Sequence, residues 1–261
     1  MLLNYQLKQS FKHETTDKNE IIFIIHGLFG SLANLSGLGK ELQADYDVVL
    51  VDVRNHGQSP RNTSMSYPEM ANDIFELADF LGIEHFSILG HSMGGKIAMT
   101  CALLQPERIN KLVVADIAPV CYVDKHNEVF KGLQAVRHAD AKNRTDAEKV
   151  LVDYVDTPEI RQFLLKSYQR GDIGFNFVYD VDNLQNNYVL IQGWPIQDKK
   201  YQAPTLFIKG EHSDYIEASN HQSIMSLFPN AKLKIISDTG HWLHAEKAKT
   251  FNRLVGNFFA Q

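Results

Sequence analysis

Phe86-Ser87-Ile88-Leu89-Gly90-His91-Ser92-Met93-Gly94-Gly95 is the stretch that decides the fold. A short apolar run (86–89) enters Gly-x-Ser-x-Gly, and a helical pattern leaves it over residues 93–104. Such a turn holds its serine on a strained bend between a strand and a helix. The glycines are a steric requirement. The residues two before and two after the serine pass close together, and Gly90 and Gly94 leave that space empty. Gly95 lets the helix approach the strand. The bend lifts the Ser92 hydroxyl above the sheet at the N-terminus of the helix, which favours developing negative charge.

Working outward, β-branched apolar runs recur at residues 21–25, 48–53, 86–89, 112–117 and 205–208, with a weaker one at 233–236. Most are continuous rather than alternating, the pattern of strands buried on both faces of a parallel sheet. Helical spacing lies between them at residues 67–81, where Met70, Ile74, Leu77, Ala78 and Leu81 share a face and Pro68 suits the first turn. Further helices are expected at 219–228 and 245–259, and an edge strand at 4–11. Strand alternates with helix, so the chain is expected to form an α/β fold with a mostly parallel, doubly wound sheet. The alternation breaks between residues 119 and 196. The predicted division is a core of residues 1–118 and 198–261 and a mainly helical lid of residues 119–197. Its helices are expected at 125–138, 145–155 and 158–169, followed by a Gly- and Asn-containing run at 171–193.

Composition excludes some functions. The 261 residues carry a formal charge of −5 and show no basic stripe of the kind nucleic-acid binders use. No apolar stretch approaches the ~18 residues of a membrane span. The opening MLLNYQLKQSFKHE has no basic start followed by an apolar run, so no secretory leader is expected and a cytoplasmic enzyme is the default. Cys101 and Cys121 sit in apolar sequence and are expected to be buried free thiols.

Acyl transfer at Ser92 needs two backbone N–H groups aimed at an oxyanion. One is expected from Met93, directly after the nucleophile. The other is expected from the loop His26-Gly27-Leu28-Phe29-Gly30 at the end of the first run, and Leu28 is the choice. His26 itself reads as a structural hydrogen bonder. The general base is expected to be His241, on the loop Asp238-Thr239-Gly240-His241-Trp242 after the last run, since serine first and histidine last is the order such turns require. His244 stands three residues on, but no third ligand with suitable spacing accompanies the pair, so no metal and no cofactor are expected. The acid has two candidates. Asp214 follows the run at 205–208, in Gly210-Glu211-His212-Ser213-Asp214, but stands one residue beyond the usual place, which Ser213 fills. Asp116 ends the preceding run, at the same end of the sheet, and better fits a poorly solvated carboxylate aimed at an imidazole N–H.

HGLFG (26–30), DVRNHGQSP (52–60), GHSMGGK (90–96), DIAPV (116–120) and GHWLHAE (240–246) together resemble the YbfF-type esterases of the α/β-hydrolase superfamily. QFLLKS (162–167) and GWP (193–195) extend the resemblance into the lid, so that it covers nearly the whole chain. The resemblance implies the α/β-hydrolase fold, hydrolysis of esters or acyl thioesters, acyl-coenzyme A among them, and Asp116 as the triad acid.

A serine at position 92 excludes the dehalogenases and epoxide hydrolases of this fold, which use an aspartate nucleophile. Three readings remain: an ester or thioester hydrolase on a small-molecule substrate, a carbon–carbon bond hydrolase or lyase on the same triad, and a slow ligand receptor. A cavity rich in Arg and Asn would favour the second. Phe163, Leu164, Phe175, Phe177 and Trp194 are expected to supply apolar surface for an acyl chain. Lys166 and Arg170, one turn apart on an expected helix, read as a solvated helix face, with contact to an anionic group such as a coenzyme A phosphate as the alternative. Arg54, Asn55 and His56 are placed near the site without a chemical role.

Overall fold

The computed structural model describes residues 1–12, 20–171 and 174–261. Residues 172 and 173 of the run at 171–193 lie outside it. Nine strands are seen among the described residues: β1 (Tyr5–Lys8), β2 (Ile21–Ile25), β3 (Asp47–Val51), β4 (Phe86–His91), β5 (Ile109–Ala115), β6 (Tyr168–Gly171), β7 (Gly174–Phe177), β8 (Thr205–Gly210) and β9 (Ala231–Ile236). The helices are α1 (Ser36–Leu42), α2 (Tyr67–Phe80), α3 (Met93–Leu104), α4 (Asn127–His138), α5 (Arg144–Leu151), α6 (Pro158–Lys166), α7 (Val181–Asn186), α8 (Tyr188–Gln192), α9 (His221–Leu227), α10 (Leu243–Glu246) and α11 (Ala248–Phe259).

Seven strands form one sheet in the order β1-β3-β2-β4-β5-β8-β9, parallel throughout except for β1. The continuous apolar runs behave as their pattern predicts. On β2, Phe23 and Ile25 face the core under α2 and α3, while Ile22 and Ile24 face the core under α1 and α11. On β5 the same division separates Leu112 and Val114 from Val113 and Ala115. Each strand thus feeds two cores, which is why neither face of the run can be polar. β9 is the exception. It closes the sheet with Leu233 and Ile235 about half exposed, and its weaker sequence signal reflects that edge position.

The chain runs from β2 outward to β3 and then back across to β4 on the other side of β2. A crevice opens at such a reversal, beyond the carboxyl ends of the strands. The loop after β2 and the turn after β4 both end in it. Between them the backbones are in close contact. A Cβ at Gly90 would collide with the Gly94 carbonyl, and one at Gly94 would collide with the Ile25 carbonyl. Ser92 itself adopts φ 54°, ψ −122°, a conformation a non-glycine residue holds only under tertiary constraint.

Between β5 and β8 the chain carries α4 to α8 and the antiparallel pair β6/β7. The described residues of the Gly- and Asn-containing run at 171–193 contain β7 and the two short helices α7 and α8. α6 stops at Lys166 and Arg170 falls on β6, so the two do not lie one turn apart on a helix as expected. Helix α1 has two glycines in seven residues and gave no periodic signal; it is held by Leu38 and Leu42 packing on the sheet. Cys101 is buried as expected, whereas Cys121 is exposed, because the loop after β5 turns outward there. Among the described residues no helix is long and apolar enough to cross a membrane.

Gly90→Ala is expected to destabilise the protein by about 3 kcal/mol or more, because the added methyl meets backbone and not a side chain that can swing away. Gly37 in α1 has nothing within 4 Å of a built Cβ. Gly37→Ala is expected to be neutral or to gain up to about 1 kcal/mol. Urea denaturation midpoints of the two variants check both signs.

Candidate active site

The end of β4 and the loop after β9 bring two side chains together at the sheet top: His241 Nε2 lies 2.9 Å from Ser92 Oγ. On the other side of the ring, His241 Nδ1 lies 2.7 Å from Asp116 Oδ2. Asp116 follows β5 directly and has no solvent exposure. Its carboxylate is hydrogen-bonded on both oxygens. The Gly210 N–H donates to Oδ1 at 3.0 Å, and the Ser213 hydroxyl donates to Oδ2, the oxygen that faces His241. Ser213 therefore stands where the sequence led one to look for a carboxylate and serves instead as a donor to one. Asp116 has φ 53°, which aims its side chain across the sheet top rather than along it. Asp214 points away. It pairs with Lys125 at 2.5 Å, and that contact holds its carboxyl below the usual range.

The two expected oxyanion donors flank Ser92. Leu28 and Met93 both line the cavity above it, and neither N–H has a hydrogen-bond acceptor among the described residues. The loop that carries Leu28 is fixed by two buried histidines. His26 Nδ1 bonds the Gly27 carbonyl at 2.8 Å, and its Nε2 accepts from the Val53 N–H at 3.1 Å. His56 Nδ1 bonds the Arg54 carbonyl at 2.9 Å, and its Nε2 accepts from the Phe29 N–H at 3.2 Å. Each ring is thus a donor on one nitrogen and an acceptor on the other, which only the neutral imidazole can be. This gives His56 a role that its sequence position did not suggest. Arg54, on the loop after β3 that carries His56, grips Asp73 with two bonds of 2.6 and 2.9 Å and braces that loop against α2.

Three further residues went unread in the sequence. Tyr215 stacks on the His241 ring with centroids 4.0 Å apart and planes inclined by 25°. Tyr122 links the loop after β5 to that after β8, donating to the Tyr215 carbonyl at 2.6 Å and accepting from the Ala118 N–H at 2.8 Å. Lys96, one turn into α3, is 1% exposed. Its ammonium donates to the carbonyls of Val120, Gln192 and Gly193 at 2.8, 2.9 and 2.8 Å, and lies over the Tyr122 ring. Burial pulls it down to about 7, and the three carbonyls oppose that shift by favouring the charged form. A motif that reads as packing for a nucleophile helix therefore also carries the bolt joining α3 to residues 120 and 192–193. No local pattern signals this, since all three acceptors are backbone atoms remote in sequence.

Above Ser92 lies a cavity of about 330 Å³ whose wall is largely apolar. Phe163 and Leu164 line it, as expected, but Phe175, Phe177 and Trp194 do not. Phe177 stacks on Tyr179 and edges Tyr168, Phe175 also packs on Tyr168, and Trp194 is buried near Tyr67. The apolar surface comes instead from Leu28, Ile117, Val129, Ile160 and Ile191. Among the described residues, Glu211, His212 and Asp238 form a group at metal-ligand spacing, but they are exposed and not among the residues lining the cavity.

A family model described as alpha/beta hydrolase fold matches residues 20–248. Esterase YbfF of Escherichia coli is 39% identical over 241 residues, covering 92% of this chain and 93% of its own. The sn-1-specific diacylglycerol lipase ABHD11 of Mus musculus is 36% identical, covering 92% of this chain and 80% of its own. Among solved structures, one described as a marine microorganism esterase superposes with a TM-score of 0.92 at 36% identity, over 98% of this chain and 99% of its own.

The histidines around the site predict how the protein responds to acid. Burial lowers His26, His56 and His91, takes His126 to about 4 and takes His244 to about 3. Each stays neutral in the folded chain while its unfolded counterpart takes up a proton below about 6.5. Folding stability is therefore full above that pH and is lost as pH falls toward the lowered folded values. The loss is up to about 1.4 kcal/mol per pH unit for each histidine. Melting temperatures measured from pH 7 to 4.5 should fall steadily. His244, whose Nδ1 is buried with no hydrogen-bond partner among the described residues, is the cleanest probe. His244→Phe should flatten that slope by about one proton.

Proposed function

The chain belongs to the alpha/beta-hydrolase family, and from that premise we propose that it hydrolyses carboxylic esters, and by the same chemistry acyl thioesters, through an acyl-enzyme on Ser92. The observation that carries this reading is the unbroken Ser92–His241–Asp116 chain of 2.9 and 2.7 Å contacts beneath an apolar cavity. In this reading His241 Nε2 takes the Ser92 proton as Oγ attacks the carbonyl carbon, then returns it to the leaving alcohol or thiol. Water repeats the sequence on the acyl-enzyme. Asp116 holds the Nδ1–H tautomer and balances the imidazolium. The N–H groups of Leu28 and Met93 receive the oxyanion, and the N-terminus of α3 adds to their field.

Residues 119–197 act in this proposal as a cap over the core formed by residues 1–118 and 198–261. Beyond the Lys96 bolt, the cap meets the core through the Tyr67 hydroxyl on the Ile191 carbonyl at 2.6 Å and Arg61 on the Val178 carbonyl at 2.7 Å. A cavity of 330 Å³ is at the small end of ligand sites, which favours esters of short to medium chains. The relatives named esterase and lipase support an ester substrate. Its lining, with one asparagine, Asn34, and no arginine among the described residues, gives a dicarbonyl substrate of a carbon–carbon hydrolase little to bind.

A fluorophosphonate probe should label the parent protein and not Ser92→Ala, and a panel of p-nitrophenyl esters and acyl-coenzyme A thioesters of graded length should be cleaved only by the parent. Labelling at another serine would sink the assignment. The acid is tested by a pair of variants. Asp116→Asn should lower kcat by about 10³- to 10⁴-fold, since an amide favours the wrong tautomer and cannot balance imidazolium. Asp214→Asn, which removes an exposed ion pair, should change kcat by less than about threefold. Circular dichroism of both variants separates lost chemistry from lost folding.

A further inference from the structure

His241 is held at both ring nitrogens, and one face of the ring is covered as well. The Tyr215 ring lies against that face, with centroids 4.0 Å apart and planes inclined by 25°. Tyr215 is itself clamped at its backbone. Its N–H donates to Ser213 Oγ at 3.3 Å, and its carbonyl accepts from the Tyr122 hydroxyl at 2.6 Å. Ser213 is also the hydroxyl that donates to Asp116 Oδ2. One small side chain thus orders both the carboxylate beside His241 and the segment that carries the stacked ring.

From this stack we infer that Tyr215 is a positioning residue for the general base: its π face fixes the plane of the His241 ring and stabilises the imidazolium formed when Ser92 gives up its proton. This rests on the hydrolase reading above and adds a contributor that acts through His241 rather than on the substrate. The face of an aromatic ring attracts a cation within about 6 Å, most strongly where water is excluded. A neutral imidazole gains far less, so the stack favours the charged form. The other groups around the ring leave this contribution distinct. Asp116 is the carboxylate bonded to His241, and burial keeps His91, His126 and His244 neutral. Lys125 lies 5.0 Å over the Tyr215 ring, but Asp214 balances its charge. Tyr122 packs on Tyr215 with centroids 5.3 Å apart, and burial pushes both phenols up, so neither ionises near neutral pH. Tyr215 therefore acts through its ring and not through a phenolate.

The test follows the His241 ring directly, by NMR of histidine-labelled protein titrated from about pH 5 to 9. Its signal is identified by its loss in His241→Gln. In Tyr215→Leu the titration midpoint should fall by about 0.5 to 1 pH unit relative to the parent. Opening the site to water would move it the other way, because relief of burial favours imidazolium. The sign therefore separates the lost ring face from lost packing. Tyr215→Met is a second ring-free variant with the same expectation. Tyr215→Phe, which keeps the face and removes the hydroxyl, should restore the parent midpoint to within about 0.2 unit. On p-nitrophenyl butyrate the acid limb of kcat/KM should move with the ring, and its plateau should fall about 3- to 30-fold in Tyr215→Leu. A midpoint that stays or rises in the ring-free variants, or a Tyr215→Phe that behaves as they do, overturns the inference. A parent that cleaves no ester would count against the hydrolase reading, while the ring titration would still decide this inference.

Discussion

The backbone at Ser92 is the constraint on which the site depends. Its φ of 54° is affordable only because Gly90 and Gly94 let β4, the start of α3 and the end of β2 occupy nearly the same space. Fixing those three backbones does more than raise a hydroxyl. It sets the distance between Met93 and Leu28, which line the same cavity from α3 and from the loop after β2. It also fixes the direction in which α3 leaves the sheet. One turn along, that direction delivers Lys96 to the carbonyls of Val120, Gln192 and Gly193. The turn that holds Ser92 is thus mechanically continuous with the contact that holds the cavity's roof.

Strain of this kind recurs along the whole carboxyl edge of the sheet. Phe29, Asn55, Ser92, Asp116 and Asp238 all have positive φ, and they follow β2, β3, β4, β5 and β9 respectively. Five of the parallel strands therefore end in a residue, or a short loop containing one, that bends back over the sheet. Such conformations persist only where their surroundings over-determine them. Here the surroundings are hydrogen bonds to neutral imidazoles and carboxylates. His56 holds the Phe29 N–H, and Asp116 receives Gly210 and Ser213. At the same edge, His91 Nε2 meets the His241 carbonyl at 2.8 Å. The folding core beneath, by contrast, is made of ordinary apolar strands with no such features.

This division explains what the sequence made legible. The sheet, its helices and the elbow at Ser92 are encoded in local periodicity and in glycines at fixed offsets. Asp116 and His241 were legible because each sits at the end of a recognisable strand in a fixed chain order. Ser213 was readable as an anomaly, a small residue where a carboxylate was expected, but its use as a donor to Asp116 depends on the β5–β8 register. Lys96 and Tyr215 were opaque because their partners are backbone carbonyls and a ring face, neither of which has a residue-type signature. The aromatic residues Phe175, Phe177 and Trp194 misled for a related reason. Composition marks apolar supply without marking direction, and these side chains pack among themselves while plainer aliphatic residues line the cavity.

The electrostatic setting of His241 follows from the same packing. His91 lies 4.7 Å from it ring to ring, and His244 in turn lies 4.3 Å from His91. Were any of these imidazoles charged, each would oppose formation of an imidazolium at His241. Burial keeps His91, His126 and His244 neutral, so among the described residues the one full charge hydrogen-bonded to His241 is the Asp116 carboxylate. Lys125, the nearest cation to Tyr215, is already paired with Asp214. Among the described residues, His241 is therefore set between one buried carboxylate, a stacked phenol ring and uncharged imidazoles. The displaced carboxylate, set just after β5 instead of after β8, is compatible with this because Ser213 can then donate to it where a second carboxylate would have repelled it.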